Sequence, residues 1–131
     1  MKAIRISAFG GPEVLQLADV PDPQPEPGQI VVRMAAAGVN PVETYIRAGT
    51  YAKLPPLPCG IGLDGAGVVE AVGDGGGSRL QPGQRVWVAG SVSGTYAELA
   101  LCDAVRVHPL PAGVTFEQGA ALGVPCSTAY R

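Results

Sequence analysis

Gly60-Ile61-Gly62-Leu63-Asp64-Gly65 spells G-x-G-x-x-G, and its flanks decide the fold. The pattern serves a dinucleotide only when a strand precedes it and a helix follows, so that the helix N-terminus faces a pyrophosphate. Upstream stands Pro55-Pro56-Leu57-Pro58-Cys59, whose prolines forbid a central strand. Downstream stands Ala66-Gly67-Val68-Val69-Glu70-Ala71-Val72-Gly73. That stretch is β-branched and alternating, which predicts a strand over 67–73. The glycines are therefore expected on a turn feeding a strand of a β-rich domain, not in a phosphate loop.

Outward from that turn the chain is punctuated at short intervals. Alternation predicts strands over 1–9, with Ile4, Ile6 and Ala8 on one face, and over 14–18, 29–37, 85–89, 95–101 and 105–107. In the strand over 29–37, Ile30, Val32 and Met34 share a face. A short helix is predicted over 41–48, with Asn40 as N-cap, Pro41 at the first helical position and Gly49 as terminator. A second is predicted over 116–122, capped by Thr115. Asp74-Gly75-Gly76-Gly77-Ser78 reads as a flexible turn. Ser127 to Arg131 reads as the first turn of a further helix after Pro125. One turn of helix is unstable alone, so more chain is expected downstream.

Nineteen glycines and 13 prolines in 131 residues fit many short strands and few helices. The expected fold is mainly β with short helices, a partly open β-barrel. The nine Lys and Arg are scattered and net charge is −2, which argues against nucleic acid as a partner. No apolar run approaches the roughly 18 residues of a membrane span. The alternating N-terminus does not read as a secretory signal, so a cytoplasmic location is expected. Cys59, Cys102 and Cys126 form no C-x-x-C pair and are expected as small buried hydrophobes. The single histidine, His108, has no partners in the sequence that would make it a metal ligand.

Several stretches line up in order: Phe9-Gly10-Gly11-Pro12-Glu13-Val14-Leu15, Ala37-Gly38-Val39-Asn40-Pro41, Glu43-Thr44-Tyr45-Ile46-Arg47, Gly62-Leu63-Asp64-Gly65-Ala66-Gly67-Val68-Val69, Gly83-Gln84-Arg85-Val86, Gly94-Thr95-Tyr96-Ala97-Glu98, and Gly119-Ala120-Ala121 followed by Thr128-Ala129-Tyr130. In this order they resemble the zinc-free, zeta-crystallin-like quinone oxidoreductase branch of the medium-chain dehydrogenase/reductase superfamily. The resemblance covers the whole chain. It implies a GroES-like catalytic domain over 1–124. Residues 125–131 would start the helix leading to a Rossmann domain that the chain lacks. Gln84, where the family usually has Asp, and Cys126, where an aromatic is common, depart from the pattern.

The resemblance implies a role for particular residues. Zinc-dependent relatives carry a cysteine ligand at the position of Asn40 and a histidine ligand at that of Leu63; neither Asn nor Leu supplies a thiolate or imidazole, so no metal is expected. Asn40 would lie near the nicotinamide end of NADPH, alongside its role as an N-cap. Thr128 would bond the cofactor across the cleft, or else cap its own helix. Tyr45 and Tyr51 suit stacking on a flat quinone, with core packing as the other reading. Glu43 would anchor a network behind Asn40, or else be a solvated acid at the helix start. Arg47 is expected to pair with Glu43 at i+4. The implied reaction is hydride transfer from NADPH to a quinone by proximity, in a full-length protein expected to be a homo-oligomer, with the fragment inactive alone. An NADPH-dependent enone reductase and a non-catalytic GroES-like binding module are the alternatives.

Overall fold

The computed structural model describes residues 1–74 and 79–131; the expected turn over 74–78 lies largely outside them. Five strands form one antiparallel sheet in the order β7-β3-β5-β6-β8. They are β3 (Gln29–Ala37), β5 (Asp64–Val72), β6 (Arg85–Ala89), β7 (Leu99–Asp103) and β8 (Val107–Pro109). A smaller antiparallel sheet has the order β2-β1-β4, from β1 (Lys2–Ile6), β2 (Gln16–Asp19) and β4 (Cys59–Gly60). Helices α1 (Pro41–Ala48), α2 (Phe116–Ala120) and α3 (Gly123–Tyr130) are short. The fold is mainly β, as the composition predicts.

β3 organises the larger sheet. It pairs with β5 on one side and β7 on the other, with Gln29 opposite Asp103 and Ile30 opposite Cys102. Ile30 and Val32 are fully buried, together with Val86, Val88 and Ala100. Burying each such large aliphatic side chain contributes about 1.5–3 kcal/mol. Val31 is buried too, so the start of β3 is covered on both faces and simple alternation fails there.

The glycines form no phosphate loop, as expected, but only Gly62 is on the turn itself. Gly60 lies in the two-residue edge strand β4, Gly62 turns with φ +105°, and Asp64 opens β5. No helix starts there. Other elements differ from expectation. β1 stops at Ile6, and its buried residues are Ala3 and Ile6 rather than an Ile4, Ile6, Ala8 face. A 3-10 turn takes Pro12–Val14, which delays β2 to Gln16. The strand expected over 95–101 begins only at Leu99. Thr95 and Tyr96 instead donate their N–H groups to Gly62 and Ile61, tying this segment to the glycine turn. Ala104–Arg106 is a 3-10 turn, so β8 starts at Val107. The last helix begins at Gly123, four residues before the expected Ser127. Pro125 sits in its first turn, where a missing N–H is tolerated.

Candidate functional site

The site grows from the start of α1. Asn40 has extended backbone and Pro41 follows at the first helical position, so the chain enters the helix preset. Glu43, three residues on, reaches back to accept the Asn40 N–H at 2.6 Å. Its carboxylate also accepts the Tyr96 hydroxyl at 2.7 Å and the Leu63 N–H at 2.8 Å. An ionised carboxylate is an acceptor at every lone pair and satisfies all three donors at once. Glu43 is buried, which excludes the solvated-acid reading. Arg47 forms no ion pair with it: the guanidinium donates to the Gly10 carbonyl at 3.0 Å. The acid turns inward to nearer donors, while the arginine faces the 9–11 loop. Burial, and then the hydrogen bond to Glu43, raise the Tyr96 hydroxyl above its usual pKa.

Asn40 is buried as well, and its carboxamide donates to Asp64 Oδ2 at 3.1 Å. The same oxygen accepts the Val124 N–H from the first turn of α3 at 2.7 Å. Burial raises the pKa of Asp64, opposed by these two hydrogen bonds and reinforced by the charge of Glu43. Thr128, one turn along α3, donates its hydroxyl to the Val124 carbonyl at 2.7 Å.

Three adjoining hollows lie along this network. The first, of about 310 Å³, is lined by Leu54, Pro56, Cys59, Ile61, Leu63 and Val92, with Glu43 as a polar wall. The second, of about 340 Å³, is lined by Arg106, Ser127, Thr128 and Arg131. A third shares Leu63, Ser91 and Val92 with the first and Ala89, Arg106 and Val124 with the second. Burial raises the Cys59 thiol, which keeps it a weak nucleophile in the apolar wall. Cys102 is fully buried in the core and its thiol is pushed up to about 12.

The structure therefore brings together Asn40, Glu43 and the base of the helix carrying Thr128. It does not bring Tyr45 or Tyr51 into the first hollow; they are 53 % and 44 % exposed. Core packing is thereby excluded for both. Asp64 and Tyr96 were not legible as partners. A carboxylate inside a glycine-rich strand entry was the available signal for Asp64. Among the described residues no group of three or more His, Cys, Asp or Glu is placed to hold a metal ion. His108 instead packs its ring on Trp87, centroids 4.5 Å apart.

A barrel of short antiparallel strands with a capped helix and an adjoining groove defines a GroES-like domain. Residues 26–112 match the alcohol dehydrogenase GroES-like domain family, and the chain belongs to it. More particularly, it corresponds to the N-terminal portion of quinone oxidoreductases of the medium-chain dehydrogenase/reductase superfamily. It is 53 % identical over 132 residues to a quinone oxidoreductase of Lama guanicoe and 51 % identical to one of Homo sapiens. In both cases the match takes in 100 % of this chain and 40 % of the relative. The crystal structure of Escherichia coli quinone oxidoreductase complexed with NADPH superposes with a TM-score of 0.92 at 38 % identity, covering 99 % of this chain and 39 % of that one. The chain thus spans about two fifths of the length of the proteins it matches.

Proposed function

We propose that the chain is the substrate-side domain of an NADPH-dependent oxidoreductase that reduces quinone-type molecules in the cytoplasm. The observation that carries this reading is the groove. An apolar hollow with Glu43 as its polar wall runs toward Thr128 on α3, and the buried Asn40 lies behind that wall, bonded to Glu43 and Asp64. Such a hollow suits a flat, weakly polar acceptor held by few hydrogen bonds.

The residues suit the nicotinamide end of NADPH, and the start of α3 offers its diphosphate no backbone cradle. A diphosphate needs free N–H groups or cations; the cations Arg106 and Arg131 line the second hollow, but the start of α3 offers no free N–H at Val124 or Pro125. In the first turn of α3 the Val124 N–H already serves Asp64, and Pro125 has none. Asn40 and Thr128 instead offer neutral polar groups suited to the nicotinamide end. The diphosphate would be held by a nucleotide-binding domain supplied beyond residues 1–124, and the full-length protein would form homo-oligomers. When bound, the nicotinamide would supply a hydride; with one proton from solvent, a quinone becomes a hydroquinone. Asn40 would hold the cofactor's orientation, with its own amide fixed by Asp64. Leu63 and Val92 would exclude water. Tyr45 and Tyr51, both exposed, would offer ring faces to the quinone. No step calls for zinc, and none for a proton-relay side chain.

The test uses the polypeptide extended by its nucleotide-binding domain. Asn40→Ala is expected to lower kcat about 10- to 100-fold through misplaced reactants. Tyr51→Ala is expected to raise KM for a quinone by about 2- to 10-fold, the loss of one stacking face. If both variants stay within about twofold of the parent, these residues do not form the site. Turnover of α,β-unsaturated ketones in preference to quinones would favour an enone reductase with the same groove. Absence of NADPH binding in the extended polypeptide would favour a non-catalytic binding module.

A further inference from the structure

Asp64 joins two parts of the groove that are far apart in sequence. Its side chain is 1 % exposed. Oδ2 accepts from the Asn40 carboxamide and from the Val124 main chain, at 3.1 and 2.7 Å. Oδ1 has no hydrogen-bond partner and lies against Gly123, where a Cβ would collide with it. The carboxylate thus sits between the start of α1 and the start of α3. We propose that Asp64 is a positioning residue: through Oδ2 it couples the orientation of the Asn40 carboxamide to the seating of α3 on the barrel, so that displacing either displaces the other.

The chemistry requires a carboxylate there. Two N–H donors converge on one oxygen, and no donor reaches the other. An asparagine would either point its NH2 at those two donors or bury it without a partner against Gly123. Glu43 on α1 is the charged group that faces Asp64, with the Tyr96 hydroxyl behind it. The neighbours from β6 and α3, namely Ala89, Gly123 and Val124, carry no titratable side chain. The coupling rests on these contacts alone. Its bearing on hydride transfer rests on the reading of Asn40 given above, and a test in the 131-residue chain without cofactor lets the two fail separately.

The experiment is NMR on the labelled chain with Gly123→Ala, which pushes on Oδ1 without touching Asn40. The Asn40 side-chain amide signals are expected to move, and exchange of the Val124 N–H to rise about tenfold, as for one lost hydrogen bond. In an Asp64→Ala background, Gly123→Ala is expected to move the Asn40 signals no further. A folded Gly123→Ala protein with unmoved Asn40 signals would overturn the proposal. Should that variant fail to fold, a pH titration of the parent decides. Asn40 side-chain and Val124 main-chain signals that share one midpoint, raised from the ordinary Asp value, support the coupling. Separate midpoints, or titration of only one of them, refute it.

Discussion

Two buried carboxylates, Glu43 and Asp64, organise the site by accepting rather than by donating. Glu43 serves three donors from residues 40, 63 and 96. Glu43→Gln would aim an NH2 at one or more of those donors and is expected to destabilise the chain by about 1–3 kcal/mol in urea denaturation. Tyr51→Ala, at an exposed position, is expected to stay within about 0.5 kcal/mol. Asp64 gives a pH signature. Its pKa is raised, so the folded chain holds this proton more tightly than the unfolded chain does. The associated stability is fully present below the ordinary value of about 3.9 and is lost as pH rises through the raised folded value. Asp64→Asn lacks this dependence. The stability gap between parent and variant is therefore expected to be wider at about pH 4 than at about pH 7; a gap that widens with pH would contradict the assignment. The local half of this network was legible in the sequence, because an N-cap and an acid three residues later form a known unit. Tyr96 and Val124 were not, since only the tertiary fold brings residues 53 and 60 positions away onto these oxygens.

At the scale of elements, β3, β6 and α1 have the bounds their patterns predict, Gln29–Ala37, Arg85–Ala89 and Pro41–Ala48. Each carries its own signal: a long alternation, a β-branched run, or a cap with proline and a closing glycine. The segment over 95–101 alternates as well, yet before Leu99 it only bridges to β1. There the Ile4 N–H donates to the Tyr96 carbonyl and the Glu98 N–H to the Lys2 carbonyl, while Thr95 and Tyr96 hold the glycine turn. Periodicity measures amphipathicity and cannot say which backbone partner is nearest. α2 is a case where local signals sufficed for the start. The Thr115 hydroxyl accepts the Gln118 N–H at 3.2 Å and the Gln118 side chain returns to Thr115 N–H at 2.9 Å. In a helix of five residues this reciprocal cap is a large share of the end-group satisfaction. Thr115→Ala is expected to cost about 1 kcal/mol by chemical denaturation, while Thr115→Ser is expected to retain most of it.

At the scale of the molecule, the groove opens along α3, lined there by Ser127 and Thr128, and the start of that helix has no free N–H for a diphosphate at Val124 or Pro125. The 131-residue chain alone is therefore expected to bind NADPH weakly and to show no quinone-dependent oxidation of it, as read by loss of nicotinamide absorbance. Purified chain is expected to hold less than about 0.1 zinc per molecule after dialysis; elemental analysis near one would overturn the ligand-position argument at Asn40 and Leu63.

The pairing of β3 with β7 has a consequence for how the chain is made. Gln29 meets Asp103 and Arg33 meets Leu99, so the innermost hydrophobic strand waits for residues synthesised long after it. Until about residue 103 has cleared the ribosome, Ile30 and Val32 have a backbone neighbour on one side at most, and a bare, sticky margin faces solvent or a chaperone. Non-local closure of this kind folds on the order of milliseconds to seconds rather than microseconds. Nascent chains arrested before β7 are accordingly expected to be cut readily by protease and to aggregate, and those arrested well after β8 to be resistant.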